Sequence, residues 1–198
     1  MPGRPAVILT TDGSCFGNPG PGGWAAILSA PGGERVLTGS DPETTNNRME
    51  LMAVVQGLTA LKVPCTVTLT SDSQLVVKGL TAWLPGWLAR GGRRADGHPV
   101  EHWDLWQQLH ALVQRHIVEA VWVRGHAGHP LNTRADALAQ AAARAAHPYT
   151  FQCACGYTQP LRTMDDDPTT STGCCPICGG RAWRIAERSA TGTWLAVE

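Results

Sequence analysis

Four acidic residues occur where predicted elements begin or end, and their chemistry suits metal binding. Asp12 closes the apolar run AVILTTD, and Asp72 closes the run CTVTLTSD. Glu50 lies one turn into a helical pattern, and Asp136 lies four residues after Asn132, the expected cap of the last helix. Each acid alone has an ordinary explanation as a turn residue, a cap, an ion-pair partner or solvated helix surface.

Considered together, the four acids indicate a metal site. Carboxylates gathered at one place raise each other's pKa unless a multivalent cation neutralises them. Mg²⁺ accepts carboxylate oxygens while it keeps waters and substrate phosphate oxygens. The set therefore predicts a site for one or two divalent ions, Mg²⁺ or Mn²⁺, bound by Asp12, Glu50, Asp72 and Asp136.

The elements that must position these acids alternate between strands and helices, which indicates an α/β fold. The order implies antiparallel strands at one edge of a mixed sheet, continued by crossover-connected strands, with helices packed on the sheet. If the strands of Asp12 and Asp72 are neighbours, both carboxylates emerge at the same edge. The predicted strands are 6–12, 22–30, 34–41, 65–72 and 117–125, and the predicted helices are 44–62, 73–80, 99–116 and 131–146.

Composition limits the classes of protein. With 198 residues, of which 43% are hydrophobic, the chain has room for one ordinary domain and a small appendage. Lys+Arg and Asp+Glu both count 16, so a nucleic-acid partner would have to be bound through local charge. Because no charged leader or bilayer-length apolar run is visible, we expect a cytoplasmic protein without membrane contact. We also expect the protein to act as a monomer.

Several segments together resemble one family. The segments TDGSCFGNPGPGGWAAIL, TTNNRMELMAV, TSDSQLVVKG, DLWQQL and WVRGHAGHPLNTRADALA look like type I ribonuclease H of the bacterial kind, from roughly residue 6 to residue 146. The resemblance implies the ribonuclease H-like mixed five-stranded sheet. It also implies an endonuclease that hydrolyses the RNA strand of RNA/DNA hybrids with two metal ions, leaving 5′-phosphate and 3′-hydroxyl ends. The family's metal-binding acids fall on Asp12, Glu50, Asp72 and Asp136, with Asp12 expected to bridge both ions.

Two other functions compete with this interpretation. A silent hybrid-binding or scaffold protein could keep the fold, but such a protein has no reason to keep all four acids. A related-fold nuclease acting on DNA has no need of amide side chains for the 2′-hydroxyl of RNA.

The resemblance assigns further residues near the acids. His126 matches a mobile histidine that assists proton transfer or the departure of metal and product, although His129 is close enough to confuse the choice. Amide groups suit the 2′-hydroxyl, which both donates and accepts hydrogen bonds. Turn and cap chemistry is the alternative role for these amides. The candidate hybrid-binding residues are Asn18, Asn46, Asn47 and Gln74 for the RNA strand, and Thr45 for a DNA-strand phosphate.

Trp83 and Trp87 lie four residues apart, in a region that forms a basic handle for the DNA strand in the family. Here that region carries Arg90, Arg93 and Arg94 but no lysine, which implies weaker and less salt-dependent hybrid binding. Packing in the core is an equally fair role for both tryptophans.

The chain after about residue 148 changes character. Five of the seven cysteines lie between Cys153 and Cys178, in short-spaced groups that favour a metal site over disulfides. We predict a catalytic domain over 1–148 and a zinc-ribbon-like domain over 149–198. The predicted structural Zn²⁺ ligands are Cys153, Cys155, Cys175 and Cys178, with Cys174 as a possible replacement.

Two roles for this zinc-ribbon-like tail remain open. Trp183, Arg181, Arg184 and Arg188 would add a nucleic-acid contact, since arginines bind phosphates and tryptophan stacks on bases. The acidic segment MDDDP argues against that role. The alternative is a module for stability or for docking a partner protein.

Overall fold

The computed structural model describes residues 3–125, 129–146, 149–155, 158–160, 177–178, 183–188 and 194–196. Its main body is a five-stranded mixed sheet with helices on both faces. In the described part of the chain, no helix combines the length and the apolar character needed to cross a membrane.

The sheet confirms the predicted mixed architecture. Its strand order is β3-β2-β1-β4-β5. Antiparallel pairs join β1 to β2 and β2 to β3, whereas β4 runs parallel to both β1 and β5. The strands are β1 (Ala6–Cys15), β2 (Gly20–Ala30), β3 (Gly33–Thr44), β4 (Thr66–Ser71) and β5 (Ile117–Trp122).

Helices surround this sheet in the predicted order. They are α1 (Asn46–Thr59), α2 (Gln74–Lys78), α3 (Leu84–Ala89), α4 (Trp103–Arg115) and α5 (Pro130–Ala146). The main core lies between the sheet and the helices α1 and α4, where Leu9, Leu69, Leu51 and Trp106 are fully buried.

The opposite face of the sheet is covered by α5, which packs on β1, β2 and β3. The helix approaches closely because its sheet-facing positions are small: Ala135, Ala139 and Ala143 are fully buried. A Cβ on Gly23 would overlap the backbone of Ala143, so glycine at this position of β2 allows the contact.

Two predicted helices differ from the structure. Instead of one helix over 73–80, α2 is followed by a π-helical turn over Gly79–Trp83 and then by α3. Pro85 has no backbone N–H to donate, and a Cβ on Gly79 would overlap the Trp106 ring. The predicted helix 99–116 begins only at Trp103, because His102 adopts the left-handed conformation, with φ 55°.

The tail contains a second sheet. Its strands are β6 (Tyr149–Cys153), β7 (Thr158–Pro160), β8 (Trp183–Arg188) and β9 (Trp194–Ala196), in the order β7-β6-β8-β9. All three pairings are antiparallel. The sequence predicts strands within 149–153, 181–187 and 193–198. Strands β6 and β9 fall in these segments and β8 ends one residue beyond its segment, whereas β7 was not expected.

Candidate active site

Asp12 lies inside β1 rather than at its end, which corrects the prediction that it closes the strand. It pairs with Ala25 of β2, and β1 continues to Cys15. On its other side β1 pairs with β4 only as far as Thr10. The edge of β1 next to β4 is therefore open at Asp12, while the antiparallel pairing with β2 keeps this residue fixed.

Glu50 approaches Asp12 because α1 crosses directly over β1. A Cβ on Gly13 would overlap the backbone nitrogen of Glu50, so glycine after Asp12 allows the crossing. Thr45 caps α1 by accepting a hydrogen bond from the Arg48 N–H, at 3.3 Å. The cap and the close crossing fix the carboxylate of Glu50, which is only 5% exposed.

Asp72 follows β4 directly and accepts two hydrogen bonds. Asn132 Nδ2 donates to its Oδ2 at 3.0 Å, and the Trp122 indole donates to its backbone carbonyl at 2.9 Å. A Cβ on Gly125 would lie 2.7 Å from the same Oδ2. This neighbourhood leaves the Asp72 carboxylate little freedom to turn away from Asp12.

Asn132 was predicted to cap the last helix, and this prediction is wrong. Helix α5 already begins at Pro130, and the Asn132 side chain is buried against Asp72. The backbone N–H of Asn132 instead donates to His129 Nδ1 at 3.3 Å. The His129 side chain thus accepts a hydrogen bond from the first turn of α5. His126 lies outside the described residues.

Three of the four acids form a compact cluster. Asp12, Glu50 and Asp72 each offer a carboxylate oxygen, and these oxygens lie within 4.8 Å of one another. Asp136 lies outside this 4.8 Å group, and its Oδ1 accepts a hydrogen bond from Gln140 Nε2 at 2.8 Å. Its charge nevertheless acts on both Asp12 and Glu50.

Burial and mutual repulsion disfavour the ionised forms of Asp12 and Glu50 in this cluster. Burial, followed by the charges of Asp72 and Asp136, raises the pKa of Asp12 to about 8. Burial and the charge of Asp12 likewise raise the pKa of Glu50 well above its usual value. A hydrogen bond from the Gly13 backbone opposes both shifts only in part. The site therefore requires compensating positive charge before all its carboxylates ionise at neutral pH.

The donor set fits a divalent cation. Glu50 Oε2 is buried and has no hydrogen-bond partner among the described residues, which is costly unless another group satisfies it. An all-oxygen site suits Mg²⁺ or Mn²⁺ rather than a metal that prefers sulfur. The atoms that could hold such an ion are the carboxylate oxygens of Asp12, Glu50 and Asp72, with Asp136 beside them.

The predicted hybrid-binding residues line the same end of the sheet. Asn18 Oδ1 accepts a hydrogen bond from the Asn46 N–H at 3.1 Å, which joins the β1–β2 loop to the first turn of α1. Asn46 and Asn47 are exposed. Gln74 is also exposed, at the start of α2, and its Oε1 accepts from Lys78 Nζ at 2.8 Å.

His102 adds a polar group that the sequence analysis missed. Its Nε2 is hydrogen-bonded to Thr45 Oγ1 at 3.2 Å. Burial, followed by the charge of Arg48, lowers the pKa of His102, which favours the neutral ring. A histidine directly before the DLWQQL helix was the available signal, but its contact with a residue 57 positions earlier exists only in the fold.

The two tryptophans have different environments. Their ring centroids are 5.6 Å apart, but Trp87 is 8% exposed and packs edge-on against Trp106 at 5.1 Å, whereas Trp83 is 39% exposed. Trp87 is thus a core residue. Trp83 lines a cavity of about 460 Å³ together with Asn47, Arg90, Arg94 and His102.

A second group of potential metal ligands lies in the tail. The sulfur atoms of Cys153, Cys155 and Cys178 lie within 4.8 Å of one another, and Cys153 Sγ is 3.5 Å from Cys178 Sγ. Tetrahedral zinc with Zn–S bonds of about 2.3 Å places its sulfurs about 3.8 Å apart, so this spacing is compatible with zinc. Cys174 and Cys175 lie outside the described residues.

Comparisons with known proteins agree with the geometry. The RNase H family model matches residues 4–144. Ribonuclease HI of Caulobacter vibrioides is 55% identical over 144 residues, which cover 73% of this chain and 97% of the relative. A solved type 1 RNase H with the type 2 active-site motif is 38% identical, with a TM-score of 0.64, covering 72% of this chain and 74% of that one.

A further solved structure, an RNase H in complex with an RNA/DNA hybrid, shares the fold at 23% identity. Its TM-score is 0.55, and the match covers 71% of this chain and 98% of that one. The family match spans the elements that carry the acidic cluster, from β1 to α5. The chain therefore belongs to the RNase H family and is a nucleic-acid-binding hydrolase, an endonuclease of the ribonuclease H type.

Proposed function

We propose that this protein hydrolyses the RNA strand of RNA/DNA hybrids by a two-metal-ion mechanism. The supporting observation is the cluster of Asp12, Glu50 and Asp72, whose carboxylate oxygens lie within 4.8 Å in a chain of the RNase H family. Asp136 completes the proposed metal-binding set, because its charge already acts on two of the three.

Two divalent ions, Mg²⁺ or Mn²⁺, would activate a water and stabilise the leaving 3′-oxygen when bound. The residues of the chain prepare for this chemistry. Asp12 is fixed by its pairing with Ala25 of β2 and Glu50 by the α1 crossing, so neither must reorganise to bind metal. Asn132 is a positioning residue that orients Asp72 through its amide. His126 is proposed to assist proton transfer or the departure of metal and product.

Recognition of RNA is assigned to the polar groups around the acids. Asn18, Asn46, Asn47 and Gln74 offer amides to the 2′-hydroxyls. Thr45 offers a hydroxyl to a DNA-strand phosphate. Trp83 remains exposed for a contact with the DNA strand, with Arg90 and Arg94 beside it, whereas Trp87 supports it from the core.

The tail is proposed to be a separate domain over 149–198, following a catalytic domain over 1–148. Cys153, Cys155, Cys175 and Cys178 would bind one structural Zn²⁺. Such an ion supplies the folding free energy that a core of some 50 residues lacks. Stabilisation and added nucleic-acid contact are both compatible with this arrangement.

A cleavage assay with matched duplexes tests the proposal. Labelled RNA/DNA hybrid, duplex DNA and duplex RNA are incubated with Mg²⁺ or Mn²⁺ and then with chelator, beside Asp12→Asn. We expect cleavage of the hybrid RNA strand only, abolished by chelator and by the substitution. Cleavage of duplex DNA at an equal rate would support a related DNA nuclease, and no cleavage would support a silent hybrid-binding protein.

A further inference from the structure

The end of β5 exposes a tryptophan beside the acidic cluster. Trp122 is the last residue of this strand, it pairs with Ser71 directly before Asp72, and it is 46% exposed. The preceding residues on the same face of the strand, Val118 and Ala120, pack against the main core. The indole continues this apolar row beyond the core, at the end of the sheet that carries Asp72.

The Trp122 ring has a fixed position next to Asp72. Its Nε1 donates a hydrogen bond to the backbone carbonyl of Asp72 at 2.9 Å, so one edge of the ring is anchored. The pairing of β5 with β4 continues one step further, because the Val123 N–H donates to the Ser71 carbonyl at 3.0 Å. A ring fixed in this way loses little conformational freedom when a ligand packs on its open part.

The strand order places this ring beside the proposed path of the RNA strand. The β1–β2 loop with Asn18, Asp12 on β1, Asp72 after β4 and Trp122 on β5 follow one another along one edge of the sheet. Strands β1 and β5 are two strand spacings apart, which is about 10 Å. This distance corresponds to about three nucleotides at about 3.4 Å each. An RNA strand that runs along this edge, from the β1–β2 loop across the acids, has its other flank at Trp122.

Polar groups that suit a nucleotide lie on the neighbouring elements. Helix α2 contacts β5 and begins with the exposed Gln74, whose Oε1 accepts a hydrogen bond from Lys78 Nζ at 2.8 Å. Arg124, two residues after Trp122, is exposed as well. The two cations suit a phosphate, and the amide suits a sugar or a base edge. The indole adds a surface for the face of a base.

A flat aromatic ring distinguishes unpaired RNA from paired RNA. Inside a hybrid each base is stacked between its neighbours and presents only its edges to a protein, whereas an unpaired base offers its whole face. Only an unpaired base can therefore stack on an indole that is fixed outside the duplex. An indole within about three nucleotides of the acids suits the RNA nucleotide at which the hybrid ends.

We propose that Trp122 stacks on an unpaired RNA nucleotide at the end of the hybrid and thereby directs cleavage to sites near that end. This inference rests on the proposed function, because it specifies the form of the same substrate. Trp122 determines where the RNA strand is held, while the metal-binding acids carry out the hydrolysis. The preferred substrate is then a hybrid whose RNA strand continues beyond the duplex.

The test compares hybrids that differ only in their ends. A hybrid of about ten base pairs is used either blunt or with about three unpaired RNA nucleotides at its 5′ or 3′ end. A matching abasic overhang keeps the sugars and phosphates but lacks the bases. The values of KM and kcat and the position of cleavage are measured for each substrate with the full chain.

We expect one of the two RNA overhangs to lower KM about fivefold or more, relative to both the blunt hybrid and the abasic overhang, with kcat unchanged. Cleavage should also shift to within about three nucleotides of the junction, the distance that separates β5 from β1. The two overhangs identify the direction in which the RNA strand crosses the edge of the sheet, and a response to either supports the proposal.

Two variants separate stacking from the hydrogen bond to Asp72. Trp122→Phe and Trp122→Leu both remove the indole N–H, but only phenylalanine keeps an aromatic face. The phenylalanine variant should keep most of the overhang effect and the leucine variant should lose it, while both cut the blunt hybrid equally. Val121→Ala is the matched control, because Val121 is 39% exposed on the opposite face of β5. Thermal unfolding verifies that each variant is folded.

The inference is wrong if the full chain treats the abasic overhang like the ordinary one, a comparison that needs no variant. It is also wrong if the leucine variant keeps the overhang effect. If both variants lose activity equally on every substrate, Trp122 only holds Asp72 and the inference fails. If the full chain does not cut even the blunt hybrid, the proposed function itself is refuted, which is a separate result.

Discussion

Single residues determine the chemistry of this site, and Asp12 is one of the most buried of them. It is fixed within β1, 5% exposed, and its pKa is raised to about 8. Replacement by Asn keeps the shape and removes the charge. We expect Asp12→Asn to lower kcat by a factor of at least a thousand, because the proposed shared metal ligand is lost. Single-turnover cleavage of hybrid measures this loss, with Glu119→Gln on β5 as a control.

The same residue links stability to pH when no metal is bound. Folded Asp12 keeps its proton up to about pH 8, whereas the unfolded chain releases it near 3.8. Between these values the folded state binds more protons, so the free energy of unfolding should fall as pH rises. The slope contributed by Asp12 is at most about 1.4 kcal/mol per pH unit.

Denaturant unfolding in chelator between pH 5 and pH 8 measures this slope. Asp12→Asn should be less pH-dependent than the parent chain, and more stable at pH 8. Added Mg²⁺ should stabilise the parent more at pH 8 than at pH 6, because binding displaces the protons. An unchanged slope in Asp12→Asn would contradict the assignment of the linkage to this residue.

Asn132 is expected to act through Asp72. Asn132→Ala removes the hydrogen bond to Asp72 Oδ2 from a buried position, so the carboxylate loses its orientation. We expect a 10- to 100-fold higher Mg²⁺ requirement, the size typical of lost partners of metal ligands, with KM for hybrid unchanged. Titration of activity with Mg²⁺ measures the effect. A purely structural role would lower stability without shifting the titration.

At the scale of elements, the irregular segment between α2 and α3 is defined by packing. Gly79 begins the π-helical turn under the Trp106 ring, and Trp106 is 1% exposed. We expect Gly79→Ala to lower the free energy of unfolding by about 1–3 kcal/mol, the usual cost of overpacking a core. Gly32→Ala is the matched control, because nothing lies near its added Cβ. Urea denaturation compares the two.

Side-chain contacts join the first turn of α1 to the first turn of α4. Thr45 caps α1 and also contacts His102, which precedes α4, and Arg48 forms a two-bond ion pair with Asp104 at 3.1 and 2.9 Å. These contacts join two elements that are far apart in sequence. They keep the proposed phosphate-binding hydroxyl of Thr45 next to the cavity that contains Trp83.

At the scale of the whole molecule, two different metal sites should respond differently to chelation. A carboxylate site binds Mg²⁺ reversibly, whereas four thiolates bind zinc tightly. We expect dialysis against a mild chelator to abolish cleavage while about one zinc per chain is retained, and Mg²⁺ to restore the activity. Elemental analysis and the cleavage assay measure both. Retention of zinc by a Cys153→Ser/Cys178→Ser chain would contradict the cysteine site.

The sequence by itself determined the class of fold and the acids that the structure brings together. The order of strand-like runs and helical patterns predicted the mixed sheet, because such runs and periodicities are local properties of the sequence. The spacing of Asp12, Glu50, Asp72 and Asp136 relative to these elements indicated one sheet edge. The motifs that carry the resemblance to the RNase H family are also short, local segments of the sequence.

The tertiary structure decided which contacts these residues make. Only packing separates buried Trp87 from exposed Trp83, and only the approach of α5 places Asn132 on Asp72 instead of at a helix cap. His102 and Thr45 meet across 57 residues. Such contacts depend on the crossing of helices and the pairing of strands, which local sequence patterns do not encode.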